Sequence, residues 1–176
     1  MKLEIDLSGL ERFEKFMDQA PYKKALNATT KRMATRFRKI STMEVRKTYA
    51  IKAGDLTKTI KLKKVGNFTY KIDIRGKTLG LELFGARQTK GGVSVRVRKD
   101  RGRKIIKGAF LGRDIGGKLR IFKRKTKHRL PLKRFYTIAV PQMFNKDILN
   151  KAAKEVERNY EKEFEHNLDY YLNKMR

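Results

Sequence analysis

Val93, Val95 and Val97 alternate with Ser94, Arg96 and Arg98, and this period of two narrows the fold more than any other pattern in the chain. Successive side chains of a strand point to opposite faces, so the run makes one valine face and one arginine-bearing face. A slip of one residue in register would bury guanidinium groups at a cost on the order of several kcal/mol each. Phe68, Tyr70, Ile72 and Ile74 alternate in the same way with Thr69, Lys71, Asp73 and Arg75, which predicts a half-buried strand ending at Gly76. Weaker strand candidates lie at 78–84, 104–110 and 118–123, with breaks at Gly91-Gly92, Gly102 and Gly116-Gly117.

On both sides of this region the period becomes helical. Tyr22, Leu26, Met33, Phe37 and Ile40, with Thr29 in the gap, form an apolar stripe that predicts a helix from near Pro21 to about Thr48. Arg32, Arg36 and Lys39, then Lys24, Lys31 and Arg38, make the other face positively charged. Upstream, Ser8 as N-cap with Glu11 in the capping-box position predicts a shorter helix carrying Leu10, Phe13 and Met17. After Ala50 the pattern suggests a turn at Gly54, a short helical stretch capped by Asp55, and entry into a strand. From about Pro141, Leu149, Ala153, Val156, Tyr160, Phe164, Leu168 and Leu172 predict a long terminal helix.

The expected class is α+β: N-terminal helices, a central mostly antiparallel sheet with basic loops, and a long C-terminal helix. A chain of 176 residues sustains one core, so the expectation is a single domain over 1–176. It comprises a helical part at 1–50, a basic β-rich core at 60–136 and the helix at 141–176. With 39% hydrophobic residues the low-hydrophobicity signature of disorder is not met.

Charge bounds the function. The chain holds 46 Lys+Arg against 18 Asp+Glu, a net +28, and such a surface attracts polyanions. The excess is local: residues 141–176 carry seven basic and seven acidic side chains, whereas 86–136 carry 19 basic against only Asp100 and Asp114. With no cysteine, disulfides and thiolate metal sites are excluded. The acidic N-terminal stretch is unlike a secretory signal, and no run approaches a membrane span, so membrane association is not expected.

Material for catalysis is scarce. His128 lies in a cationic run that opposes its protonation and repels metals, and His166 is placed to pair with Asp169 on a helix. Glu82-Leu83-Phe84 lacks the lysine a metal-dependent nuclease would need. The reading is of a non-enzymatic chain with no catalytic residue, no metal site and no cofactor.

Two basic clusters are the candidate contacts to DNA or to an acidic neighbouring subunit, with a merely solvated face as the alternative. The first, Arg96, Arg98, Lys99, Arg101, Arg103 and Lys104, reads as a mobile hairpin or loop; the second begins at Lys123, Arg124 and Lys125 and runs to Arg129. Arg87 and Lys90 lie just upstream. Aromatic interleaving is sparse, so contact would be with phosphates and without sequence choice.

The run Leu83-Phe84-Gly85-Ala86-Arg87-Gln88-Thr89-Lys90-Gly91-Gly92-Val93-Ser94-Val95-Arg96-Val97 resembles the central signature of the phage and prophage minor tail protein Z family. Gly108-Ala109-Phe110, Ile121-Phe122-Lys123-Arg124, Arg129-Leu130-Pro131-Leu132 and Pro141-Gln142-Met143 follow in the family's order, so the resemblance spans roughly residues 25–145. The chain departs from the family at 136–141, where Tyr136-Thr137-Ile138-Ala139-Val140-Pro141 replaces a frequent Tyr-Gly with Ser before Pro-Gln. The resemblance implies a tail-completion protein at the head-proximal end of a long non-contractile tail. It also implies a homo-oligomeric ring, partnered by other tail and neck proteins, that joins head to tail and places the DNA end through phosphate contacts. Such a protein is made in the host cytoplasm and resides in the virion. A sequence-independent nucleic-acid-binding protein of ribosomal or chromatin type shares the charge and size but not the ordered landmarks.

Overall fold

The computed structural model describes residues 2–4 and 20–174. The helix expected around Ser8, Leu10, Glu11, Phe13 and Met17 lies outside the described residues. The class is α+β, with two long helices and short strands whose described pairings are all antiparallel. The chain divides into two compact units, one of residues 1–41, 60–74 and 145–176, the other of 42–59 and 75–144. These boundaries cut across the segments 1–50, 60–136 and 141–176 drawn from the sequence.

In the first unit, the initial turns of α1 (Ala20–Thr48) run antiparallel to α4 (Lys146–Asn173). Thr29 accepts a hydrogen bond from Asn167 at 2.9 Å, and Arg32 and Arg36 pair with Glu163 and Glu155. Leu26, Met33 and Phe37 are buried as the stripe requires. Thr29 is wholly buried in the gap, because its hydroxyl donates to the Ala25 carbonyl at 2.9 Å and leaves no unpaired donor. The sheet has the order β1 (Lys2–Glu4), β3 (Tyr70–Ile74), β2 (Ile60–Lys64). Ile72 and Ile74 are buried, but so is Asp73, and Phe68 falls outside β3. β3 is the central strand of this sheet, and register opposes Asp73 to Lys61 on β2.

The terminal helix starts later than Pro141 suggests. Pro141 belongs to a separate turn, α3 (Val140–Met143) in the second unit, and Asn145 opens α4 by accepting the Ile148 N–H at 2.9 Å. Ile148, Leu149, Ala152 and Val156 are its buried apolar residues, whereas Leu172 near its end is exposed.

The second unit begins with the end of α1 and α2 (Ala53–Thr57), in which Gly54 is helical and the cap position belongs to Lys52, not Asp55. Three small sheets follow. One pairs β4 (Thr78–Gly80) with β11 (Tyr136–Ala139); one has the order β5 (Arg87–Thr89), β6 (Gly92–Val95), β7 (Lys104–Lys107). The third is β8 (Ala109–Arg113), β9 (Leu119–Arg124), β10 (Leu132–Arg134). Val93, Val95, Ala109 and Ile121 form a shared core with Leu81, Ala86, Ile106, Leu111 and Phe135 around it.

Several strands differ from those the sequence predicts. The 78–84 candidate ends at Gly80 and becomes a 3₁₀ turn (Leu81–Leu83), and 104–110 is two strands broken at Gly108. β6 stops at Val95, leaving Val97 half-buried outside it. Arg96 is exposed as expected, yet Ser94 is buried because the Arg103 guanidinium covers it, Nε donating to its hydroxyl at 2.8 Å. β5, β10 and β11 had no alternating signal long enough to read.

Gly92 is the tightest point of this unit. Its φ is +144°, and a Cβ there would lie 2.1 Å from the Ile106 carbonyl oxygen on the paired strand, whereas a Cβ at Gly91 would meet nothing within 4 Å. Gly92→Ala is therefore expected to destabilise by on the order of 2–4 kcal/mol, and Gly91→Ala by no more than about 0.5 kcal/mol. Chemical denaturation of the two variants checks this, and equal losses would contradict the strand pairing.

Candidate functional site

The second unit holds 25 Lys+Arg against five Asp+Glu, a net +20 of the chain's +28. Its candidate cations divide into two kinds. Those of the 96–103 loop between β6 and β7 are largely engaged within the fold. The Arg98 guanidinium pairs with Asp100 at 2.7 Å and stands 5.8 Å from the centre of the Tyr49 ring. Arg96 donates to the Lys99 and Arg101 carbonyls, and Arg103 donates to the Ser94 hydroxyl, the Ser94 carbonyl and the Gly85 carbonyl. The root of the loop is tied as well, since the Lys99 N–H reaches the Thr48 carbonyl at 2.7 Å and the Ala50 N–H reaches that of Val97 at 2.9 Å. The mobile loop expected from composition is thus held by its own arginines. Lys99 and Arg101 keep exposed side chains, as does Lys104 at the start of β7.

The second kind is uncommitted. Lys123 and Arg124 on β9, then Lys125, Lys127 and Arg129 in the turn to β10, are exposed and make no ion pair among the described residues. Register sets Lys123 directly opposite Lys133. Arg87 on β5 and Lys90 in the following turn are exposed on the other sheet.

Sequence reading missed the group that holds this hairpin. Glu82, in the 3₁₀ turn, has a side chain only 4% exposed, and its Oε1 accepts from Arg120 of β9 at 2.7 Å and from Arg134 of β10 at 3.0 Å. Arg120 also donates to Asp114 at 3.0 Å, and the Arg134 guanidinium stands 4.8 Å from the centre of the Tyr136 ring. Gly80 leaves room for the carboxylate, for a Cβ there would lie 2.1 Å from Oε1. The signal was present: Glu82 is the lone acid between Asp73 and Asp100.

Titration follows these contacts. Burial by itself would lower the Arg120 pKa, but the Glu82 and Asp114 carboxylates outweigh it and raise it above the ordinary value. The Lys118 N–H, then the Arg120 guanidinium, hold Asp114 below the ordinary 3.8. Asp100 is lowered by its hydrogen bond to Arg98, which is raised in turn.

His128 and His166 are exposed, and the expected His166–Asp169 pair is absent among the described residues. No group of three or more His, Cys, Asp or Glu able to hold a metal occurs among the described residues. No helix among them is long and apolar enough to cross a membrane.

Fold and site together define an α+β protein with a basic β-rich unit and a hairpin of uncommitted cations. No protein-family model, curated protein or solved structure matches the chain.

Two outcomes follow from the ion network. Glu82→Ala leaves two guanidinium groups without their shared carboxylate and is expected to cost about 2–3 kcal/mol. That lies below the about 3–5 kcal/mol of a fully enclosed pair, because both arginines keep an edge in water. A loss no larger than that of Asp100→Ala, in parallel denaturation, would contradict the burial of Glu82. For Asp114 the folded pKa is depressed, so its contribution is present above the unfolded value and lost as pH falls through the folded one. Asp114→Asn should flatten the melting temperature against pH below about 4, and an unchanged acid limb would contradict the Lys118 and Arg120 contacts.

Proposed function

We propose that the chain is a non-enzymatic structural protein of a tailed phage, similar to the minor tail protein Z family. It acts at the head-proximal end of the tail in tail completion, head-to-tail joining and positioning of the DNA end. One observation carries the reading: the residues of the 83–97 signature occupy demanding positions of the second unit. Phe84 and Val93 are 0% exposed and Val95 5%, Gly85 and Gly92 have φ of 60° and 144°, and Arg103 binds the Gly85 carbonyl. Any basic protein can share a charge run, whereas a likeness seated in buried and left-handed positions supports the reading more strongly, since those positions constrain the backbone.

The basic unit supports the DNA part of the role. A duplex carries one negative charge per about 1.7 Å, so a homo-oligomeric ring presenting these cations would hold its end by counterion release without reading bases. Tail and neck proteins are the further partners in this reading. The same surface also favours a second one, a sequence-independent nucleic-acid-binding protein acting outside a virion.

Inactivating the gene in the phage or prophage that encodes the chain separates the two. Unjoined heads and tails, restored to infectious particles by the wild-type chain supplied in trans, are expected. Normal particle yield without the chain would overturn the tail reading and leave the second.

A further inference from the structure

We infer that the β9–β10 hairpin is the element that meets the phosphate backbone of duplex nucleic acid, and that the 96–103 loop is not; this rests on the DNA part of the reading above. The first reason is availability. Lys123, Arg124, Lys125, Lys127 and Arg129 are exposed without an ion pair among the described residues, and no acid occurs in residues 115–146. In the loop, Arg96, Arg98 and Arg103 are already bonded to carbonyls, a hydroxyl or Asp100, which leaves Lys99 and Arg101 as its exposed cations outside those bonds.

The second reason is charge density. Lys123 lies opposite Lys133 in register and both are exposed, the Lys133 ammonium standing 5.6 Å from the centre of the Phe135 ring. A phosphate backbone following this strand pair therefore meets lysines from both strands.

Positioning is the third. Arg120 of β9 and Arg134 of β10 share Glu82 Oε1, so one buried carboxylate ties both strands of the stem. The tip is therefore presented on a fixed ribbon, which lowers the ordering cost of binding. Glu82 acts here as a positioning residue and touches no ligand.

Composition, finally, favours phosphate over a protein acid. Protein interface cores are depleted in lysine and enriched in aromatic residues. Residues 123–131 hold three lysines, no Phe, Tyr or Trp, and Leu130 as the exposed large hydrophobic side chain. Without aromatic platforms single-stranded bases have nothing to stack on, which leaves phosphates as the ligand and sequence as indifferent.

The test uses the full chain and a random-sequence duplex titrated across salt concentrations, with a matched single strand and polyglutamate as the other probes. One variant changes Lys123, Arg124, Lys125, Lys127 and Arg129 to Gln; the control changes Lys99, Arg101 and Lys104 to Gln. The hairpin variant should bind the duplex at least about 100-fold more weakly at low salt, with a log–log salt slope shallower by about 0.9 for each phosphate it no longer neutralises. The control should stay within about fivefold of wild type. If the five-site variant fails to melt cooperatively, the pair Lys125→Glu and Lys127→Glu at the tip takes its place. A salt slope unchanged in the hairpin variant, or equal losses of affinity in both variants, would overturn the inference. So would loss of polyglutamate binding with duplex binding intact, which would mark the hairpin as a protein-docking surface. A hairpin variant that loses duplex binding upholds the inference even if virions assemble without the chain, the outcome that sinks the tail reading alone.

Discussion

Twenty-five cations and five acids share the second unit, and its compact state exists against their mutual repulsion. The unit meets this constraint through the placement of its acids. Glu82 sits deep, where a low dielectric strengthens its attraction for Arg120 and Arg134, while Asp114 and Asp100 close turns by binding a backbone N–H and an adjacent guanidinium. Four acids are thus paired, counting Glu44 with Lys47 on the last turns of α1. What remains uncompensated is carried outward on strand ends and turns, where long side chains stay hydrated while their stems cover apolar surface.

The core behind these cations is built from small aliphatic side chains. Val93, Val95, Ala109 and Ile121 make up its buried centre, and within the β5–β6–β7 sheet Gly92 is the point where the paired strand leaves no room for a Cβ. Arginine also serves this unit as a structural residue. Arg103 fills the gap over Ser94 and satisfies two carbonyls, a role in which lysine could not reproduce the planar fork. A basic residue in this unit can therefore brace the fold or stand exposed in water, and its hydrogen-bond partners tell the two apart.

That division bears on function. Charge steers a polyanion toward the whole unit over about a Debye length, roughly 8 Å in cell-like salt, but only side chains without internal partners can exchange water for phosphate. The β9–β10 hairpin offers such side chains on a stem fixed by Glu82, and the proposed role at the tail end requires binding of this kind: strong in charge, indifferent to sequence.

Much of the fold was legible in the residues themselves. The stripe from Leu26 to Phe37 specified α1, the valines at 93 and 95 specified β6, and the long apolar row after Leu149 specified α4, because each pattern repeats often enough for periodicity to speak. The two basic clusters were equally visible as composition. Local sequence could not rank them, since an arginine bound to a carbonyl and an arginine in water read alike. Strands of three residues such as β5 and β10 carry no period of their own, and the burial of Ser94 and Asp73 depends on what register and Arg103 bring from elsewhere in the chain. The sequence by itself determined the helix faces, the valine face and the charge. Tertiary structure alone decided which cations brace the fold and which stay exposed without an internal partner, because that choice turns on distances between residues as far apart in the chain as Glu82 and Arg134.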